Sequence, residues 1–165
     1  MSVQQNRELV KYDAMIINGP EDEEFVDHMV ERLEKIGLKI FYPPRDVRVG
    51  MMEHVDQSDV IAKRCKKVIA VLSQNFCKNY QNMFNLDLAV QVLIRNKKEF
   101  LLPVLYSHSE EQITNLPFSV SGLKKLRYRP DRKIVNFWVK LVESFEGTFK
   151  LTEELKKMDF PGPKG

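Results

Sequence analysis

Cysteine is scarce in this chain. Cys65 and Cys77 are the two present, separated by residues 66–76. They make neither a zinc-ligand pattern nor a disulfide framework. Stability must therefore come from a packed core, and a reducing, cytoplasmic compartment is expected. Glycine is also sparse, with seven residues that do not cluster. No G-x-G-x-x-G follows the first apolar run and there is no P-loop, which disfavours the common nucleotide-binding enzymes. Long apolar runs are missing as well. None approaches the roughly 18 residues that span a bilayer, and Met1 to Lys11 is too polar for a secretory segment. Direct membrane insertion is not expected. A strong excess of one charge is lacking: 26 Lys and Arg against 23 Asp and Glu leave +3, too little to argue for nucleic acid. His28, His54 and His108 are scattered over separate segments. No Ser or Cys stands in a nucleophile elbow, so neither triad chemistry nor a metal set has its parts.

What is present is an ordinary globular composition, 43% apolar and 30% charged. The length of 165 residues fits one domain able to bury a core unaided. Strand-like runs alternate with stretches of helical period. Tyr12 to Ile17 is a strand closed by Asn18-Gly19-Pro20. From Glu21 to Ile36, Phe25, Met29, Leu33 and Ile36 form one helical stripe, and Gly37 is placed to stop it. Leu38 to Tyr42 is a second strand, ended by Pro43-Pro44. After the loop Pro43 to Gly50 comes a weaker helix, Met51 to Arg64, carrying Met51, Met52, Val55, Ile61 and Ala62. Lys67 to Ser73 is almost continuously apolar, as a strand buried on both faces should be. Met83 to Ile94 is a third helix, apolar around much of its girth and so either deeply buried or half interface. Phe100 to Tyr106 is a fourth strand in which Pro103 implies a bulge or an edge position. Lys124 to Tyr128 can supply a short fifth strand. Ile134, Phe137, Trp138, Leu141, Val142 and Phe145 give the cleanest helical stripe. The expected class is α/β: a flavodoxin-like, doubly wound sheet of about five parallel strands with helices on both faces. The expected division is an extension over 1–10, a domain over 11–147, and a helical or frayed tail over 148–165.

Ligands of such sheets bind outside the carboxyl ends of the strands. A magnesium-dependent phosphoacceptor would need carboxylates after the first and third strands. Glu21, Asp22 and Glu23 follow the first, but the third ends in Ser73-Gln74 with no Asp. The acids are better read as stabilising the N-terminal end of the first helix. The same helix is strongly acidic, whereas Lys63, Arg64, Lys66 and Lys67, and again Lys124 to Lys133, are basic. These are either solvated faces or two faces able to meet head to tail, a contact that does not close and can build filaments.

Several segments resemble one family. Tyr12-Asp13-Ala14-Met15-Ile16-Ile17 is similar to the first box of Toll/interleukin-1 receptor (TIR) domains. Arg45-Asp46-Val47-Arg48-Val49-Gly50 resembles the second box, the loop after the second strand. Phe137-Trp138 matches the third box, at the start of the last helix. Ile61 to Ser73 is similar to the family's second helix entering its third strand. The boxes fall in the family's order over Lys11 to Phe145. Within the family, Arg45-Asp46-Val47 and the basic run before the third strand look most like its signalling adaptors.

The resemblance implies a scaffold that self-associates and binds other TIR domains of receptors and adaptors, without a cofactor. Its implied contact residues are Pro44, Arg45, Asp46, Val47, Arg48, Val49 and Gly50 of the loop, Lys66 and Lys67, and Phe84 and Asp87 of the third helix. Gln74 to Asn82 joins that helix in a second contact face. Tyr12, Asp13, Phe137 and Trp138 are the implied structural boxes. Two departures matter. The second box usually has Pro before its final Gly, and here the residue is Val49; a more mobile loop tip is expected. Some TIR domains cleave NAD with a Glu on the third helix, in a Trp-Cys-x-x-Glu pattern absent here. Asp87 is aligned with that Glu, one methylene shorter, and loss of catalysis is expected. The alternatives are an NAD hydrolase acting through Asp87, or a decoy that binds TIR partners without passing the signal.

Overall fold

The computed structural model describes residues 11–95, 100–106, 116–128 and 137–145. The expected extension over 1–10 and tail over 148–165 lie outside them, as do His108, Arg129, Arg132, Lys133 and Ile134. The apolar runs form β1 (Tyr12–Asn18), β2 (Ile40–Phe41), β3 (Cys65–Leu72), β4 (Leu101–Leu105) and β5 (Leu126–Arg127). All neighbours are parallel, in the order β2-β1-β3-β4-β5. That order is the flavodoxin-like, doubly wound arrangement. β1 pairs with β3 from Tyr12 opposite Cys65 to Asn18 opposite Val71.

Side chains of a strand alternate between faces, and both faces of this sheet are covered. Ala14, Ile16, Ile69 and Val71 pack against α1 (Glu23–Lys35) and α4 (Phe137–Glu143). Met15, Ile17, Val68, Ala70 and Leu72 pack on the other face, against Val60 and Ile61 and against Leu86 and Ala89 of α3 (Tyr80–Arg95). Each fully buried aliphatic side chain contributes on the order of 1.5–3 kcal/mol.

α1 buries Phe25, Val26, Met29, Val30 and Leu33. It stops where the sequence placed the stop. The Gly37 N–H donates to Glu34 C=O at 3.0 Å and the Leu38 N–H to Leu33 C=O at 3.1 Å, with Gly37 at φ 96°. This is a Schellman motif, whose positive φ favours glycine.

The helix expected over Met51 to Arg64 is divided: α2 (Glu53–Asp59) runs into a π-helical segment, Val60–Arg64. Of its apolar residues Ile61 is buried, whereas Ala62 is exposed. Met51, Met52 and Val55 are exposed, and the inward positions are Asp56, Gln57, Val60 and Ile61. The two polar residues can be buried because both have partners. Asp56 lies 3.6 Å from Arg64, and Gln57 accepts a hydrogen bond from Asn85.

Pro103 sits in an internal strand, opposite Ala70 of β3, rather than at a bulge or an edge. The backbone explains why it is tolerated. Phe100 C=O and Tyr106 N–H both bond β3, so alternation turns the nitrogen of Pro103 away from β3. On that side, among the described residues, β5 pairs with Val104 and Leu105, and no ladder bond among them is forfeited.

Candidate functional site

The loop after β2 is built on a one-turn helix, Pro43–Asp46. Asp46 accepts a hydrogen bond from Tyr42 N–H at 2.7 Å, which closes the turn. Arg45 forks onto both carboxylate oxygens of Glu34 on α1, at 2.7 and 3.0 Å, and also donates to Asp46 and to Ile40 C=O. These carboxylates hold the Arg45 guanidinium pKa above its ordinary value. Arg45 and Asp46, expected to make contacts with partners, are thus engaged within the chain, and they set the angle at which the loop leaves the sheet. Val47 is half-buried against the core. Pro44 is exposed and lines the cleft described below.

Beyond Val47 the loop turns outward. Met51 N–H donates to Arg48 C=O at 3.0 Å, and Gly50 has φ 89°. This is the pattern of a type II turn, with Val49 and Gly50 as its central residues. Val49 is fully exposed, and Met52 and Val55 are more than half exposed. Arg48 is exposed, with the Met51 sulfur 4.0 Å from its guanidinium. The loop and the first turn of α2 therefore present an apolar ridge to solvent. On α3, Tyr80 and Phe84 stand one turn apart and are 94% and 55% exposed, a second apolar strip. Lys66 and Lys67 are at the amino end of β3, whereas the loop leaves the carboxyl end of β2. Lys66 lies 3.5 Å from Asp13.

The box residues are placed in the framework. Asp13 accepts a hydrogen bond from Lys39 N–H at 2.7 Å, tying β1 to the start of β2. Tyr12 meets Phe41 edge-on at 5.2 Å. Phe137 and Trp138 join a cluster with Phe25, Tyr106 and Tyr128, in which Phe25 stacks on Tyr106 at 4.1 Å. The Arg32 guanidinium lies 4.7 Å from the Trp138 ring centre. Burial lowers the Arg32 pKa.

A cleft of about 300 Å³ opens at the carboxyl ends of β1 and β2. Asn18, Glu23, Glu53, Gln57, Gln81 and Asn82 are among its lining residues. Its floor is a run of carboxamides. Gln57 accepts from Asn85 at 2.7 Å, Asn85 accepts from Gln81 at 3.0 Å, and Asn82 donates to Asn18 C=O at 3.1 Å. Beside it Ser73 donates to the buried carboxylate of Asp22. Gly19 approaches so closely that an added Cβ would stand 3.3 Å from Phe76 N.

Asp87 does not face this cleft. It is exposed, two residues beyond the buried Asn85, and so on the other side of the helix. The aligned acid is therefore not brought to the strand ends. Asn82 is expected from the sequence at the end of a contact face rather than in a cleft wall, and Asn85 has no expected role, although polar residues at 79, 82 and 85, three apart on a helix, are a usable signal. Carboxamides bind and orient but do not exchange protons at neutral pH. The ionisable groups in the cleft wall are Glu23 and Glu53, from other elements. Among the described residues no cluster of His, Cys, Asp and Glu could hold a metal ion, and no helix is long and apolar enough to cross a membrane.

Sheet order and strand-end loops define a flavodoxin-like α/β domain. Residues 15–141 match the family described as the TIR domain, and the chain belongs to that family. Among solved structures it is similar to the TIR domain of the Toll-related receptor TRR-2 from Hydra magnipapillata. Identity there is 27% and the TM-score 0.57, over 72% of this chain and 85% of that one. A metazoan TIR-STING receptor from C. gigas has 22% identity and a TM-score of 0.58, over 70% of this chain and 37% of that one. The TIR domains of the activated Roq1 resistosome, described as directly recognizing the pathogen effector XopQ, have 18% identity and a TM-score of 0.54, over 60% of each chain. The last two share the fold.

Proposed function

We propose that this TIR domain is a signalling scaffold that self-associates and binds the TIR domains of receptors and adaptors in innate immune signalling, without turning over a substrate. The carrying observation is the apolar ridge of Val49, Met51, Met52 and Val55, held out on an anchored turn. Exposed apolar surface that is contiguous and rimmed by charge is a protein-contact feature. Arg45 and Asp46 act as positioning residues, while Arg48, Val49 and Met52 touch the partner. The strip of Tyr80 and Phe84 on α3 is the second face, and repetition of weak contacts raises avidity. Within the family, Arg45-Asp46-Val47 and the basic run before β3 most resemble the myeloid differentiation primary response adaptor. That likeness supports an adaptor's place, between receptor and kinase.

The test is light scattering over a range of protein concentration, with negative-stain microscopy. Growing assemblies are expected. Val49→Asp with Met52→Asp should weaken association at least ~10-fold while leaving circular dichroism unchanged, because buried charge is costly at a contact and harmless in water. Monomers at every concentration, or assembly indifferent to both changes, would sink the proposal.

The cleft supports a second reading, cleavage of NAD, because two carboxylates line it. The scaffold reading expects no nicotinamide release in the same samples. Release that disappears in Glu53→Gln or Glu23→Gln would make the domain an enzyme, and Asp87→Asn should be silent either way.

A further inference from the structure

Methionine is an apolar side chain that can be made polar in place, because its thioether takes up one oxygen to become a sulfoxide. Its placement in this domain is uneven. Among the described residues, Met15 and Met29 are fully buried, and Met83 is half-buried against the core. Met51 and Met52 are 39% and 63% exposed, side by side in the chain between Val49 and Val55 of the ridge. A small oxidant in water meets these two sulfurs first. Neither thiol is a ready competitor. Cys65 is buried. Cys77 is half-buried, and burial raises its pKa, which leaves little of the nucleophilic thiolate.

The surroundings of Met51 fit the oxidised form better than the reduced one. A guanidinium nitrogen of Arg48 lies 4.0 Å from the Met51 sulfur. The turn keeps the two residues together, since Met51 N–H donates to Arg48 C=O at 3.0 Å. A thioether is a weak acceptor. A sulfoxide oxygen carries partial negative charge, and on the Arg48 side of the sulfur it accepts a charge-assisted hydrogen bond. The backbone is anchored separately. Met52 C=O accepts from Val55 N–H and from Asp56 N–H, each at 3.1 Å. The two side chains can therefore change while the turn and α2 stay in place.

We propose that Met51 and Met52 are a modification site for hydrogen peroxide, and that their sulfoxides undo the contact made by the ridge. The second half of this proposal rests on the scaffold reading above. In the oxidation, the sulfur lone pair attacks one peroxide oxygen, an S–O bond forms and the O–O bond breaks. The departing hydroxide takes the proton left on the transferred oxygen and becomes water. Sulfur loses two electrons and the peroxide gains them. At a contact, each sulfoxide gives up its water for apolar surroundings, which is costly. Arg48, drawn onto the Met51 oxygen, is also withdrawn from the partner. Methionine sulfoxide reductases restore the thioether at the expense of a dithiol that becomes a disulfide, so the change is reversible.

The experiment treats the dilute full chain with hydrogen peroxide, removes the excess with catalase, and maps sulfoxides by peptide mass spectrometry. Met51 and Met52 are expected to oxidise at least ~10-fold faster than Met15, Met29 and Met83, with circular dichroism unchanged. A half-oxidised sample is then concentrated, and assemblies are separated from monomer by sedimentation. Sulfoxide at Met51 and Met52 should be at least ~10-fold enriched in the monomer over the pellet, and reductase treatment should return that monomer to the pellet. Oxidation of Met51 and Met52 no faster than that of the buried methionines would overturn the site. Equal sulfoxide at the two residues in monomer and pellet would overturn its effect on the contact. An untreated chain that never assembles would instead defeat the scaffold reading, and the effect with it, while the oxidation rates would still decide the site.

Discussion

Val49 occupies the second position of the turn from Arg48 to Met51, where φ near −60° is needed and proline is pre-set for it. The family's proline is missing, yet the turn is present because the unusual torsion belongs to Gly50, at φ 89°. Val49→Pro is therefore expected to stabilise the domain by ~0.4–1 kcal/mol through the unfolded state, read as a higher urea midpoint. Tyr106 gives a pH prediction. Burial against Phe25, reinforced by Asp22, Tyr128 and Glu24, pushes its hydroxyl up to about 12 from an ordinary 10.0. The folded form therefore favours the protonated phenol. Its contribution is complete below the unfolded value and is lost as pH rises through about 12. Burial raises the Tyr42 hydroxyl as well, so the two act together. The urea midpoint should fall from pH ~10 upward, and Tyr106→Phe should reduce that fall. An unchanged profile would mean that Tyr106 titrates as freely folded as unfolded.

At the scale of the element, α3 presents several distinct sides on one cylinder. Asn82 lines the strand-end cleft, Asn85 is buried behind it against Gln57, Leu86 and Ala89 join the core, and Tyr80, Phe84 and Asp87 are exposed. Asn79 caps it, its Oδ1 accepting from Asn82 N–H at 3.0 Å. Asn79→Ala should cost ~1 kcal/mol, seen as a lower melting temperature with faster amide exchange in the first turn. The apolar girth of α3 was legible from residues 83–94, and the structure places it as partly core and partly exposed. α2 was not legible in the same way. Its inward positions are Asp56 and Gln57, and what makes them tolerable is Arg64 on the π-helical segment and Asn85 on α3. A polar residue's partner across the fold leaves no trace in the local period.

At the scale of the whole molecule, the two faces of the sheet carry different burdens. The α1 and α4 face holds the aromatic cluster of Phe25, Tyr106, Tyr128, Phe137 and Trp138. The α2 and α3 face borders the cleft and both exposed apolar strips. Charge is less free than its distribution along the chain implied. Arg64 is committed to Asp56 and Asp59, Arg45 to Glu34, and Lys66 lies near Asp13. Exposed pairs of this kind are individually weak, but each removes a cation from head-to-tail docking of an acidic face on a basic one. Assembly through the apolar ridge needs none of them.

The sequence by itself determined the class of the fold: apolar runs of strand length separated by helical stripes, with Gly37 and Pro43 as stops, leave few ways to bury both faces of a parallel sheet. It also determined the family, since the boxes at residues 12–17, 45–50 and 137–138 are contiguous in the chain. Tertiary structure alone decided which members of those boxes are free to meet a partner. Arg45 and Asp46 read as surface charges until Glu34, Tyr42 and Ile40 came within hydrogen-bonding distance. Asp87 aligns with the acid that some TIR domains use but is not expected to catalyse; the helix turns it outward and sets Asn85 against Gln57. Periodicity reports which side of an element is apolar; which polar groups meet depends on contacts between elements distant in sequence, and only the folded chain contains those.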